Sequence, residues 1–153
     1  MRLSVGRSRR QVALVFLLAA VLASSGIRTA PAHAGTGPRG EMFQLTNDHR
    51  ADHDRGALDL DAELTRYARR HSQAMADAGE IFHTEKLAAK LKDKDWSAAG
   101  ENVGVGSSLS GLEAAFMDSM PHRRNILNRD FDDVAVGVVE SDGNFWVTII
   151  FYG

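Results

Sequence analysis

The apolar and polar positions divide the chain into segments of different period. Residues 12–23 form an unbroken apolar run from Val12 to Ala23, with neither helical nor strand alternation. Gly35 to Gly40 shows no periodicity and reads as a flexible leader. From Glu41 the pattern turns helical, with Met42, Leu45 and His49 on one face and Asp48, Arg50 and Asp52 elsewhere, and it stops in the polar stretch Asp52 to Gly56. A second helix is written more clearly. Leu64, Tyr67, Ala68, His71, Met75 and Ala78 recur at three- and four-residue steps, Asp61 is placed to cap the start, and Gly79 supplies the stop.

Residues 80–110 are mixed: Ile81 to Thr84, a lysine-rich patch from Lys86 to Lys94 that reads as a solvated face, and a glycine-containing stretch from Ala98 to Gly106. A further helix is predicted over Gly111 to Ser119, with Leu112, Ala115 and Phe116 inward, and Pro121 closes it because proline cannot continue a helix. Arg123 to Asn128 adds one helical turn. The period then changes to two, as Val134, Val136 and Val138 alternate with Ala135 and Gly137, Ser141 to Asn144 makes a turn, and Phe145 to Tyr152 returns as a second strand. The chain therefore ends in a β-hairpin.

The unpatterned apolar run changes the reading of the first 34 residues. Arg2, Arg7, Arg9 and Arg10 precede it and Ala32-His33-Ala34 follows, which is the order of a secretory signal peptide cleaved after Ala34. The run is too short for a membrane span of about 20 residues. Ser8 to Leu14 also resembles a twin-arginine export signal, so the export route stays open between the two pathways. The expected product is a secreted monomer of residues 35–153 with no membrane span: a leader over 35–40 and a single domain over 41–153.

Charge and cysteine content narrow the function. The first 34 residues hold five arginines and no acidic residue, so residues 35–153 keep 13 basic against 20 acidic side chains, a net charge of −7. Such a surface argues against nucleic acid or anionic headgroups as the principal partner. No cysteine is present. Thiolate catalysis and thiolate metal sites are excluded, and stability must come from packing although an exported chain could form disulfides.

Three segments carry the candidate chemistry: Phe82-His83-Thr84, Gly100-Glu101-Asn102, and Pro121-His122-Arg123-Arg124-Asn125-Ile126-Leu127-Asn128. With the Asn47 to Arg50 end of the first helix and the closing strand, and in this order, they resemble the signature of the CAP superfamily (cysteine-rich secretory, antigen 5 and pathogenesis-related-1 proteins) in its compact bacterial form. The resemblance covers Glu41 to Gly153 and implies an α+β fold, an α-β-α sandwich in which a small antiparallel sheet is flanked by helices. It also implies a central cavity lined in the family by two histidines and two glutamates, to which His83, Glu101 and His122 correspond. Ser119 stands at the second glutamate's position, and the nearby acids Glu113 and Asp118 are out of register, so a triad replaces the tetrad. Pro121 and Ala135 stand where glycine is usual.

Two imidazoles and a carboxylate suit a divalent cation, zinc first, with His83 and His122 as ligands and Glu101 supporting them or orienting a water. The structural alternative needs no metal: Glu101 accepts loop amide hydrogen bonds and the histidines bond to it. Two functions follow. One is a non-catalytic extracellular or envelope binding module, its partner a lipid-like or sterol-like ligand or a metal. The other is a zinc-dependent hydrolase with Glu101 as general base, the one candidate catalytic residue. No serine sits in a Gly-x-Ser-x-Gly setting. His71, Trp96 and Trp146 read as core, and Arg123, Asn125 and Asn128 as residues that tie down loops.

Overall fold

The computed structural model describes residues 35 and 37–153, so the expected export signal over residues 1–34 lies outside the described residues. In chain order the elements are α1 (Pro38–Asp52), β1 (Asp59–Leu60), α2 (Ala62–Ala78), α3 (Leu87–Lys90), β2 (Ala99–Gly106), α4 (Leu109–Asp118), α5 (Met120–Ile126), β3 (Asp133–Ser141) and β4 (Asn144–Tyr152). They make an α-β-α sandwich. The sheet order is β1-β3-β4-β2, with β1 parallel to β3 and the other pairs antiparallel.

Strand alternation sorts the two cores. Val134, Val136, Val147, Ile149 and Phe151 face Met42 and Phe43 of α1, Leu112 and Phe116 of α4 and Ile126 of α5. The alternate positions Ala135, Ile150 and Tyr152 face Leu64 and Ala68 of α2 together with Leu91. Gly137 lets α2 lie this close: a Cβ there would sit 2.2 Å from the Ala68 carbonyl carbon. The β3–β4 hairpin turns at Asp142 and Gly143, whose φ of 51° and 73° are the two positive values that an Asp-Gly turn of this hand requires.

Helix α2 matches the pattern read from the chain, with Asp61 accepting from the Glu63 and Leu64 amides and Gly79 left-handed at the C-cap. Asp61 also accepts from the Tyr152 hydroxyl at 2.7 Å and pairs with Lys94 at 2.8 Å. Burial raises the Asp61 pKa, but Lys94, the Leu64 amide and Tyr152 outweigh it and hold the carboxyl below its ordinary value. Helix α1 starts at Pro38 rather than Glu41, because proline suits the first helical turn, where its missing N–H has no partner to lose.

Two inward positions differ from the pattern. Arg50, placed away from the apolar face by its charge, is 2% exposed. Its guanidinium donates to the carbonyls of Gly56 (2.7 Å), Ile126 (2.8 Å), Asn128 (2.8 Å) and Phe131 (3.1 Å), which replace the water it leaves. In α4, Ala115 is exposed, whereas Glu113 is fully buried. Positions 109, 112, 113, 116 and 117 form one helical stripe, so the acid is carried inward by the residues around it.

Candidate functional site

β2 is an edge strand, and its alternation sends successive side chains into opposite layers. Glu101, opposite Ile150, turns to the α2 side. There its Oε2 accepts from the Thr84 amide at 2.9 Å and meets His83 Nδ1 at 2.8 Å, and its Oε1 accepts from the Thr84 hydroxyl at 2.5 Å. Both carboxylate oxygens are therefore engaged. Thr84 is buried, while the His83 side chain is 64% exposed. A hydrogen on His83 Nδ1 fixes the ring and leaves Nε2 free toward solvent.

Asn102 turns to the opposite layer. Its Nδ2 donates to the His122 carbonyl at 3.1 Å, and its Oδ1 accepts from Asn125 at 2.9 Å. Asn125 Nδ2 also donates to the Glu101 carbonyl at 3.1 Å. Gly100 makes room for this, since a Cβ would lie 2.5 Å from Asn125 Oδ1. Gly100-Glu101-Asn102 thus fastens the His83 loop on one side and α5, which carries His122, on the other. Pro121 opens α5 as well as ending α4.

The His122 ring packs against Phe116 at 5.0 Å between centroids. Burial pushes its pKa down, and the nearby charge of His83 pushes it further. His71 lies behind the site in the core, where it was expected, its Nδ1 3.1 Å from Thr148 Oγ1 and its ring edge-on to Phe82 at 5.2 Å. Burial lowers its pKa, against opposing effects of the Glu101 charge and the nearby His83 backbone. Its Nε2 reaches no partner in hydrogen-bond geometry. Pattern alone could not show that this histidine, with Thr148, floors the site.

His83 and Glu101 are thus in contact on one face of β2, while His122 sits against Phe116, near enough to His83 to feel its charge. Among the described residues, no group of three histidine, cysteine or acidic side chains is arranged to hold a metal ion. Ser119 links α4 to α5, Asp118 is exposed, and Glu113 lies beside Thr46 of α1, so neither acid joins the site. Ile81 (48% exposed), Phe82 (39%) and Met120 (52%) stand beside the two histidines in sequence and leave apolar surface at the rim.

The profile of the cysteine-rich secretory protein family, CAP, matches residues 43–151. The chain belongs to the CAP family. The Bacillus subtilis protein YkwD, itself uncharacterized, is 33% identical over 113 residues, covering 69% of this chain and 44% of its own. YlbC of Bacillus subtilis, described as an uncharacterized membrane protein, is 30% identical over 106 residues, covering 64% of this chain and 30% of its own. An extracellular Bacillus anthracis protein containing an SCP domain superposes with a TM-score of 0.61 at 28% identity, covering 73% of this chain and 39% of that one. The chain spans less than half of each of these CAP relatives. Among the described residues, no helix is long and apolar enough to cross a membrane.

Proposed function

We propose that this CAP domain is a non-catalytic binding module of the extracellular space or cell envelope, with its ligand site at His83 and His122 beside β2. The observation that carries the reading is the enclosure of Glu101. A general base needs an oxygen facing a water or substrate, whereas this side chain is 5% exposed and each of its oxygens accepts a hydrogen bond from Thr84 or His83. Glu101 is a positioning residue, and the hydrolytic alternative loses its base.

A divalent cation fits the two rings better than it fits Glu101. His83 Nε2 and the His122 ring are the available ligands, and Glu101 stands behind His83 as the partner that orients a metal-binding imidazole. Such an ion would be held by two protein ligands, with modest affinity, and would offer an open coordination position to an anionic or carbonyl group. The exposed Ile81, Phe82 and Met120 favour a lipid-like ligand, whose apolar part would cover them while its polar end meets the imidazoles. Export of the mature domain is part of the same reading and is supported by the extracellular Bacillus anthracis relative.

The test is elemental analysis and a zinc titration of the protein, read by thermal unfolding at pH 7.5 and pH 5.5, beside the His83→Ala, His122→Ala double variant. A ligand that binds only the folded state raises the midpoint, and because a metal ion competes with protons for imidazole nitrogen the rise should be smaller at the lower pH. Equal stabilisation of wild type and double variant would move the ion elsewhere. A long-chain alcohol or sterol analogue that protects wild type but not the double variant would establish the lipid-like ligand.

A further inference from the structure

The opposite edge of the sheet carries a second feature. β1 pairs only with Asp133 and Val134, so among the described residues the rest of β3 has a strand on one side alone. The Asp59 and Asp61 amides donate to the carbonyls of Asp132 and Val134, which shows that even-numbered residues turn their backbone groups toward the open side. Val136 N–H is taken by Thr65 Oγ1 at 3.2 Å. Farther along, Val138 and Glu140 point their N–H and C=O groups in the same direction, with no neighbouring strand among the described residues.

This edge floors a groove of about 370 Å³ between the first turn of α1 and the flank of α2. Val138 supplies an apolar base above the fully buried Val136, and Arg39, Arg66 and Arg69 stand around it against the single carboxylate of Glu140. Among the described residues none of the three guanidiniums lies within ion-pair distance of a carboxylate. Exposed edge strands are ordinarily blunted by a proline, a lysine or a bulge. None interrupts β3 between Val136 and Ser141.

We propose that the open edge of β3 receives an extended acidic peptide segment as an added strand, its carboxylates meeting Arg39, Arg66 and Arg69. Main-chain pairing with Val138 and Glu140 supplies affinity without regard to sequence, and the guanidiniums select acidic side chains over basic ones. A charged lipid surface would use the arginines and leave the strand edge idle, so the combination favours a peptide.

The probe is the hexapeptide acetyl-Val-Glu-Val-Glu-Val-Glu-amide, added to the whole protein as its host processes it. Three controls accompany it: the same peptide with lysine for glutamate, the same peptide N-methylated at every amide, and phosphatidylglycerol vesicles. Binding by the acidic peptide alone is expected, with amide hydrogen exchange at Val138 and Glu140 slowed about tenfold or more at saturation. Arg66→Glu with Arg69→Glu should abolish it while leaving the melting temperature and exchange on β4 as in wild type. The proposal is overturned if Val138 and Glu140 are already protected in the free protein, which would mean that the chain's own residues cover the edge. It is equally overturned if the N-methylated peptide binds as well as its parent, or if the vesicles bind through these arginines and the acidic peptide does not.

Discussion

Glu113→Gln should make the protein more stable above neutral pH and change little near pH 4.5. The carboxyl is fully buried between α4 and α1, and neither of its oxygens has a hydrogen-bond partner. Thr46 Oγ1 lies beside it and slightly favours the ionised form, yet misses hydrogen-bond geometry and is itself without a partner. Burial raises the pKa from 4.5 to about 7. The unfolded chain ionises above about pH 4.5 while the folded chain holds its proton until about pH 7. The contribution is therefore fully present below pH 4.5 and is lost as the pH climbs through 7. At 1.36 kcal/mol per unit, the shift corresponds to about 3 kcal/mol, most of it gone by pH 7 and all of it by about pH 8. His71 and His122 act oppositely: their lowered pKa values make stability fall as the pH drops below 6.5. The difference between variant and wild type cancels them. Urea unfolding of both proteins at half-unit steps from pH 4.5 to 8.5 should give a difference that grows by about 3 kcal/mol and then levels. A difference independent of pH would mean that water reaches Glu113 and that its carboxyl titrates like any surface acid.

Glu101→Gln should lower unfolding stability by about 1–3 kcal/mol, because the bonds lose their charge and the new NH2 group faces the Thr84 hydroxyl, which accepts from Tyr67 and would lose the acceptor for its own hydrogen; an unchanged urea midpoint would refute that account. Gly137→Ala should destabilise more than a surface Gly→Ala change, since the new methyl meets the Ala68 backbone at 2.2 Å, and differential scanning calorimetry should show a clear drop in midpoint. Mass spectrometry of protein from the culture supernatant should find Gly35 at the N-terminus, and an intact Met1 in a membrane fraction would sink the signal-peptide reading.

Helix α2 and the terminal hairpin were legible because each is a long run of one period closed by a residue with a single local job: Asp61 and Gly79 for the helix, Asp142-Gly143 for the turn. The candidate site residues came from the resemblance of the Gly100-Glu101-Asn102 and His122 segments to the CAP signature rather than from any period in the chain. What escaped was decided by tertiary contacts. Arg50 is inward because four carbonyls converge on it, from Gly56 just past α1, from Ile126 at the end of α5 and from Asn128 and Phe131 in the loop beyond, and nothing within α1 announces them. Glu113 is inward because its apolar neighbours fix the helix's rotation. β1 is two residues long and exists only through β3, so no periodicity could reveal it.

The Arg50 contacts span up to 81 residues of sequence and join α1 to the end of α5 and the loop that follows it. In a chain without cysteine they occupy the place of a cross-link, with a different vulnerability. They need no oxidase or isomerase to form, they do not exchange with thiols, and reductants or peroxide leave them intact. The fold should accordingly tolerate swings in redox potential that would unlock a cystine-stapled domain, and give way instead to agents that compete for carbonyl oxygens, with guanidinium itself the most direct.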